Sequence, residues 1–225
     1  KSLPKTSQPP LGKFVEMFDK LGEDGSQIIS FNMLEAISGT VHTAEQAAQL
    51  SKADVTVIDS QFTDRALAFQ VLEAAKMAQE GASKDEIIQR AEYIRDHTKL
   101  YLSVVNLENL VKGGRLSKIG GMLGGLLNIK LLLEVKNGKL DVAGKVRGMK
   151  AMKKLWSDIY TEMQGSGKIK GVGISHVEAF DMVEDMKKHV GEFFPVNDIV
   201  VRETVPIIAT HTGMGAFCIL YYSED

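Results

Sequence analysis

The stretch Asp54–Gln79, DVTVIDSQFTDRALAFQVLEAAKMAQ, reads as a strand running into a helix. Asp54 to Ser60 is short, apolar and rich in β-branched residues, the composition of a buried strand. From Thr63 to Gln79 the apolar residues return at helical spacing among strong helix formers. A second helix follows over Lys84 to His97, separated by EGAS, where the Ser83 hydroxyl can cap it. Upstream, Phe14, Val15, Phe18 and Leu21 mark a helix that ends near Gly22 and Gly25. Gln27 to Asn32 then reads as a strand and TAEQAAQLS as a helix. Strands alternating with helices argue for a layered α/β unit with a largely parallel sheet.

Beyond about Thr98 the pattern changes. LYLSVV is a strand, followed by a short helical piece and the glycine-rich GGRLSKIGGMLGG. IKLLLEVKNGKLDVAGKV is a hairpin with Asn137-Gly138 as its turn. A basic helix from Met149 to Met163, the strand IKGVGIS and the helix AFDMVEDMKKHV come next. DIVVRE and PIIAT are both read as strands, which makes His211–Gly215 the turn of a terminal hairpin. The expected organisation is an N-terminal α/β domain over residues 1–100 and a C-terminal α+β domain over residues 101–225.

The 225 residues carry 44% hydrophobic and 25% charged side chains, an ordinary globular balance. A formal net charge of −2 provides no global field for nucleic acid or anionic membranes. The single cysteine, Cys218, excludes an internal disulfide framework and fits a reducing compartment. The weakly charged run Ile119 to Ile129 is too short to span a bilayer, and no charged-then-apolar signal segment opens the sequence.

Catalytic signatures are missing from the sequence. There is no G-x-S-x-G elbow, and His42, His97, His176 and His189 have no metal-ligand spacing, so no metal site is expected. GSGK, Gly165 to Lys168, lacks the upstream glycine of a phosphate loop and reads as a plain loop. The glycines at 113, 114, 120, 121, 124 and 125 match no dinucleotide fingerprint, but they allow close backbone approach. Lys145, Arg147, Lys150, Lys153 and Lys154 form either a solvated helix face or a dock for an acidic partner. The patch is short and lacks interleaved aromatics, which argues against nucleic acid.

Three hydroxyl-bearing stretches remain: Thr6-Ser7-Gln8-Pro9, Ser38-Gly39-Thr40 and His211-Thr212-Gly213. Ser38-Gly39-Thr40 lies between a strand and a helix, where a hydroxyl either caps the helix or meets a ligand anion. Hydroxyls with an imidazole can donate to a carboxylate.

TSQP (Thr6 to Pro9), SGT (Ser38 to Thr40), VIDS (Val57 to Ser60), GGRLSK (Gly113 to Lys118), LLNIK (Leu126 to Lys130), GKVR (Gly144 to Arg147) and THTGMGAF (Thr210 to Phe217) occur in that order. In this order they resemble the DegV family of fatty-acid-binding proteins, the lipid-carrying subunits of bacterial fatty acid kinase. The resemblance implies an α/β, two-domain fold: a Rossmann-like parallel-sheet domain, a smaller α+β domain, and an apolar ligand tunnel between them. It implies a bound long-chain fatty acid and no cofactor. The carboxylate would be held by Thr6, Ser38 and His211, supported by Ser7, Gly39, Thr40, Thr212 and Gly213. It further implies a cytoplasmic carrier, neither membrane-inserted nor catalytic on its own. Its partner would be an ATP-dependent kinase subunit that engages Arg147 and forms the acyl phosphate used in phospholipid synthesis. The family normally opens with an α/β segment bearing its own Asp-Ser motif. None precedes Thr6 here, so strands of the first sheet are expected to be missing. Pro10, Leu131 and Met214 depart from the family's usual residues and are expected to alter local loop shape. The rival readings are a stand-alone acyl-directed enzyme using Ser38 and His211 as nucleophile and base, and a regulatory interaction protein working through its basic helix.

Overall fold

A computed structural model of the protein describes residues 2–120 and 128–225. The glycine-rich reading at Gly121, Gly124 and Gly125, and the Leu126-Leu127 part of LLNIK, lie outside the described residues. The chain forms two compact units. Among the described residues, the first comprises Thr6–Thr63 and Leu67–Asp96; the second comprises residues 2–5, Asp64–Ala66 and the described part of His97–Asp225.

In the first unit the order is α1 (Leu11–Leu21), β1 (Ile28–Asn32), α2 (Thr40–Leu50), β2 (Val55–Asp59), the body of α3 (Asp64–Gln79) and α4 (Lys84–Asp96). β1 and β2 pair in parallel, Ile28 opposite Val55 and Asn32 opposite Asp59. Side chains alternate across the pair, so both faces need cover. On one face Ile28, Val55 and Val57 pack with Phe14, Phe18, Ala44 and Ala47 of α1 and α2. On the other, Ile29 and Phe31 face Val71, Ala75 and Ala78 of α3 around a hollow of about 370 Å³ that Gln27 and Lys84 also line. Ser83 does cap α4, as a reciprocal box. Glu86 accepts from the Ser83 amide and hydroxyl at 2.8 and 2.6 Å, and the Glu86 amide points back to Ser83 Oγ at 3.4 Å.

The second unit continues with β3 (Thr98–Val104), α5 (Glu108–Lys112), β4 (Lys130–Lys136), β5 (Lys139–Val146), α6 (Met149–Gln164), β6 (Lys168–His176), α7 (Phe180–Val190), β7 (Ile199–Glu203), α8 (Pro206–Thr212) and β8 (Phe217–Glu224). The strands make one sheet in the order β5-β4-β3-β8-β6-β7, antiparallel except for the β6–β7 pair. Asn137 (φ 50) and Gly138 (φ 67) form the β4–β5 turn in the left-handed region, as their identity requires. α6 and α7 bury Met152, Trp156, Ile159, Met163, Val183 and Met186 against one sheet face. Within that core the Trp156 indole N–H donates to Ser103 Oγ at 2.8 Å and its ring lies 5.3 Å from Phe217. A buried indole is tolerated because its one donor is satisfied.

One strand expectation fails. Pro206–Thr212 is a helix, so His211 sits in the last turn of α8 rather than in a hairpin turn. Ile207 and Ile208 favour strands in isolation. Here Pro206 at the first helical position supplies the helical φ and loses no hydrogen bond. Gly213 at φ 77 then stops the helix, and the chain turns into β8.

At the first residue of α3, Asp64 adopts φ 56 and its carboxylate accepts three hydrogen bonds. Ser175 Oγ donates to Oδ1 at 2.7 Å, the Arg65 amide to Oδ1 at 2.8 Å, and Thr204 Oγ1 to Oδ2 at 2.6 Å. Those contacts tie the start of α3 to the β6–β7 end of the large sheet. They compensate a backbone conformation that Asp tolerates better than most residues.

Candidate functional site: two polar clusters

In the first unit the chemistry gathers at the carboxyl ends of the parallel strands, where open α/β sheets receive ligands. β1 ends at Asn32 and runs through a 3-10 turn, Glu35–Ile37, into Ser38 and α2. Ser38 does not occupy the cap position, which falls to Gly39. Instead its Oγ lies 2.8 Å from Thr40 Oγ1 and accepts from the Thr40 amide at 3.3 Å. Thr43 returns both its amide and its hydroxyl to the Gly39 carbonyl, at 3.1 and 3.3 Å. Gly39 at the cap position offers no side-chain oxygen and the first turn of α2 holds no acidic residue, so the Ser38 hydroxyl, bonded to the Thr40 amide, stands at the positive end of the helix.

The first motif joins the second through Gln8, whose side-chain amide lies against Gly39. A Cβ added there would stand 3.4 Å from Gln8 Nε2. Thr6 is half-buried and Ser7 is exposed. Gln8 was visible in TSQP, but nothing in the sequence marks it as the residue that links the motifs.

β2 contributes the VIDS residues. Ser60 is fully buried; its hydroxyl donates to the Asn32 carbonyl at 2.7 Å, and its own carbonyl accepts from Gln70 Nε2 at 2.9 Å. Ser60 therefore locks the strand ends together. Burial raises the Asp59 carboxyl above its ordinary value, and amides from Gln61 and Glu35 offset this only in part.

The second unit holds the other cluster. Asn109 on α5 donates to the Thr210 carbonyl of α8 at 2.9 Å, and Gly213 packs against the same Asn109 side chain. His211 lies over Gly113, where any Cβ would collide with its Nδ1. Arg115 donates to the Gly113 carbonyl at 3.0 Å and acts electrostatically on His211. Burial first, and the Arg115 charge second, lower the His211 pKa below 6.5, so the ring favours its neutral form. GGRLSK and THTGMGAF are thus one structural feature, built on the glycine that admits the imidazole. Sequence reading placed Asn109, Gly113 and Arg115 in no site, because a glycine's vacant Cβ gains meaning only when its neighbour is known.

Thr212, expected as a supporting residue, is buried and turns its hydroxyl back to the Ile208 carbonyl at 3.1 Å. Arg147 is exposed at the end of β5, immediately before Gly148 and α6. Thr6, Ser7, Ser38, Gly39 and Thr40 belong to the first unit; Arg147, His211, Thr212 and Gly213 belong to the second. Among the described residues no group of His, Cys, Asp or Glu is arranged to hold a metal ion, and no helix is long and apolar enough to cross a membrane.

An α/β architecture with a mixed sheet, carrying these motifs at its strand ends, is that of a known family. Residues 1–224 match the family model described as "Uncharacterised protein, DegV family". The chain belongs to the DegV family. It is 47% identical over 220 residues to a DegV domain-containing protein of Streptococcus pneumoniae, covering 98% of this chain and 78% of that one. A fatty acid binding DegV family protein from Thermus thermophilus superposes with a TM-score of 0.86 at 32% identity, covering 98% of this chain and 79% of the other. A fatty acid binding DegV family protein from Streptococcus agalactiae gives 0.88 at 26% identity, covering 100% and 80%.

Proposed function

We propose that this protein is a cytoplasmic carrier for a long-chain fatty acid, organised as domains 1–100 and 101–225. It holds the carboxylate through Thr6, Ser38 and His211 and presents it to a separate ATP-dependent kinase subunit, which makes the acyl phosphate. The observation that carries the reading is the hydroxyl-bearing turn at the start of α2, in a chain whose relatives from Thermus thermophilus and Streptococcus agalactiae are fatty acid binding proteins. An alkyl chain of about fifteen methylenes contributes on the order of 12 kcal/mol of gross burial, so affinity resides in the tail and the polar groups set orientation. Arg147, exposed beside the basic start of α6, is the contact offered to the kinase subunit.

Ser38 Oγ has Thr40 Oγ1 and the Thr40 amide as its partners. A serine nucleophile needs a general base within hydrogen-bond reach, so this arrangement favours binding over turnover.

Mass spectrometry of an organic extract of the purified protein tests the reading, and a stoichiometric long-chain fatty acid is expected. Ser38→Ala should weaken fatty acid binding by roughly 1–3 kcal/mol with the fold intact. A lipid-free extract with no saturable uptake of added fatty acid would overturn the carrier reading. Unchanged affinity in the folded variant would reduce Ser38 to a turn-forming residue.

A further inference from the structure

His42 is the third residue of α2, within its first turn and just past the hydroxyl turn, and is exposed. Its Nε2 lies 3.0 Å from Glu35 Oε1, at the start of the 3-10 turn that leads into Ser38. Its Nδ1 lies 3.2 Å from Glu45 Oε2, one turn further along α2. The ring therefore closes the segment from residue 35 to residue 42 into a loop, with Ser38 and Gly39 inside it. The Ser38 amide already donates to the Glu35 carbonyl at 3.2 Å, so a displacement of Glu35 moves Ser38 directly. Glu35 has a second tie, since its amide donates to the Asp59 carboxylate at the end of β2.

The charges give the same bridge an electrostatic role. Glu35, Glu45 and Asp59 bring negative charge to the neighbourhood of a turn proposed to take an anion. A neutral imidazole can donate to only one of the two carboxylates, whereas imidazolium donates to both.

We propose that His42 is a positioning residue for the carboxylate-binding turn: its imidazolium staples Glu35 to Glu45, fixes Ser38 at the start of α2, and screens the bound anion from both carboxylates. This rests on the carrier reading above. The hydrogen bond to Glu45, then the charge of Glu35, raise the His42 pKa above 6.5. The staple is therefore complete below 6.5 and is lost as the pH rises through the raised value. His211 moves the other way, below 6.5, so the two histidines act in separate pH windows.

The test is the dissociation constant for oleate, read by displacement of an acyl-linked fluorophore, from below pH 6.5 upward. Wild-type affinity should weaken about two- to fivefold on the alkaline side, the range expected of exposed ion pairs. His42→Gln should show the weaker affinity throughout and lose that limb. His42→Arg, permanently charged, should keep the tighter affinity and also lose the limb. Circular dichroism of each variant verifies the fold. Oleate binding that is independent of pH in this window, or a limb that persists in His42→Gln, overturns the role of His42 and leaves the carrier reading standing. No binding at any pH overturns the carrier reading, and this proposal with it.

Discussion

His211 shows how one residue's surroundings decide its chemistry. Burial and the Arg115 charge both oppose a proton on the ring, which lowers its pKa. A group depressed in the folded state stabilises the protein fully above its unfolded value and loses that contribution as pH falls through the folded value. Urea denaturation of the ligand-free protein should therefore show stability declining below pH 6.5, and His211→Asn should decline less steeply. Equal slopes would show that His211 titrates alike in folded and unfolded protein. The sequence offered the hydroxyls and imidazole of TSQP, SGT and THTG as candidates for the proposed site, because such groups can donate to a carboxylate. Their supports were not legible in it. Gln8, Asn109, Gly113 and Arg115 act through neighbours distant in sequence, and one sequence carries no signal for that.

Among the elements, the β4–β5 hairpin and α8 mark the limits of local reading. Asn137-Gly138 announced its turn because both residues must take positive φ, and little else does so cheaply. Gly138→Val should destabilise the protein by about 1–2 kcal/mol, the cost of forcing a side chain into the left-handed region. A denaturation midpoint equal to wild type would show that the turn relaxes to another geometry. α8 misled for the opposite reason. Two isoleucines in a seven-residue segment resemble a strand, yet tertiary contacts between Asn109 and the Thr210 carbonyl hold a short helix in place. So short a helix is not self-supporting, and part of what holds it is the Asn109 side chain on α5. The positive φ of Asp64 was equally hidden, since its compensation comes from Ser175 and Thr204, more than a hundred residues away.

For the molecule as a whole, β1 and β2 pair in parallel, whereas the strands from β3 onward form a mostly antiparallel sheet. Sequence periodicity did not foretell that Asp64–Ala66 groups with the second unit, because three residues at a helix start have no period of their own. Cys218 gives this architecture a clock. It is the only thiol in the chain, buried on β8 between β3 and β6, and burial pushes its pKa up. In the native sheet it is shielded from alkylating reagents and strongly disfavours the thiolate, so a maleimide should react only during excursions that uncover its face of the sheet. Its labelling half-time thus reports the opening that exposes the thiol, as an opening rate at high maleimide and as an open population at low maleimide. Saturating fatty acid should lengthen that half-time if the proposed ligand binds the closed form alone, and an unchanged half-time would mean that fatty acid does not distinguish the closed form from the open one.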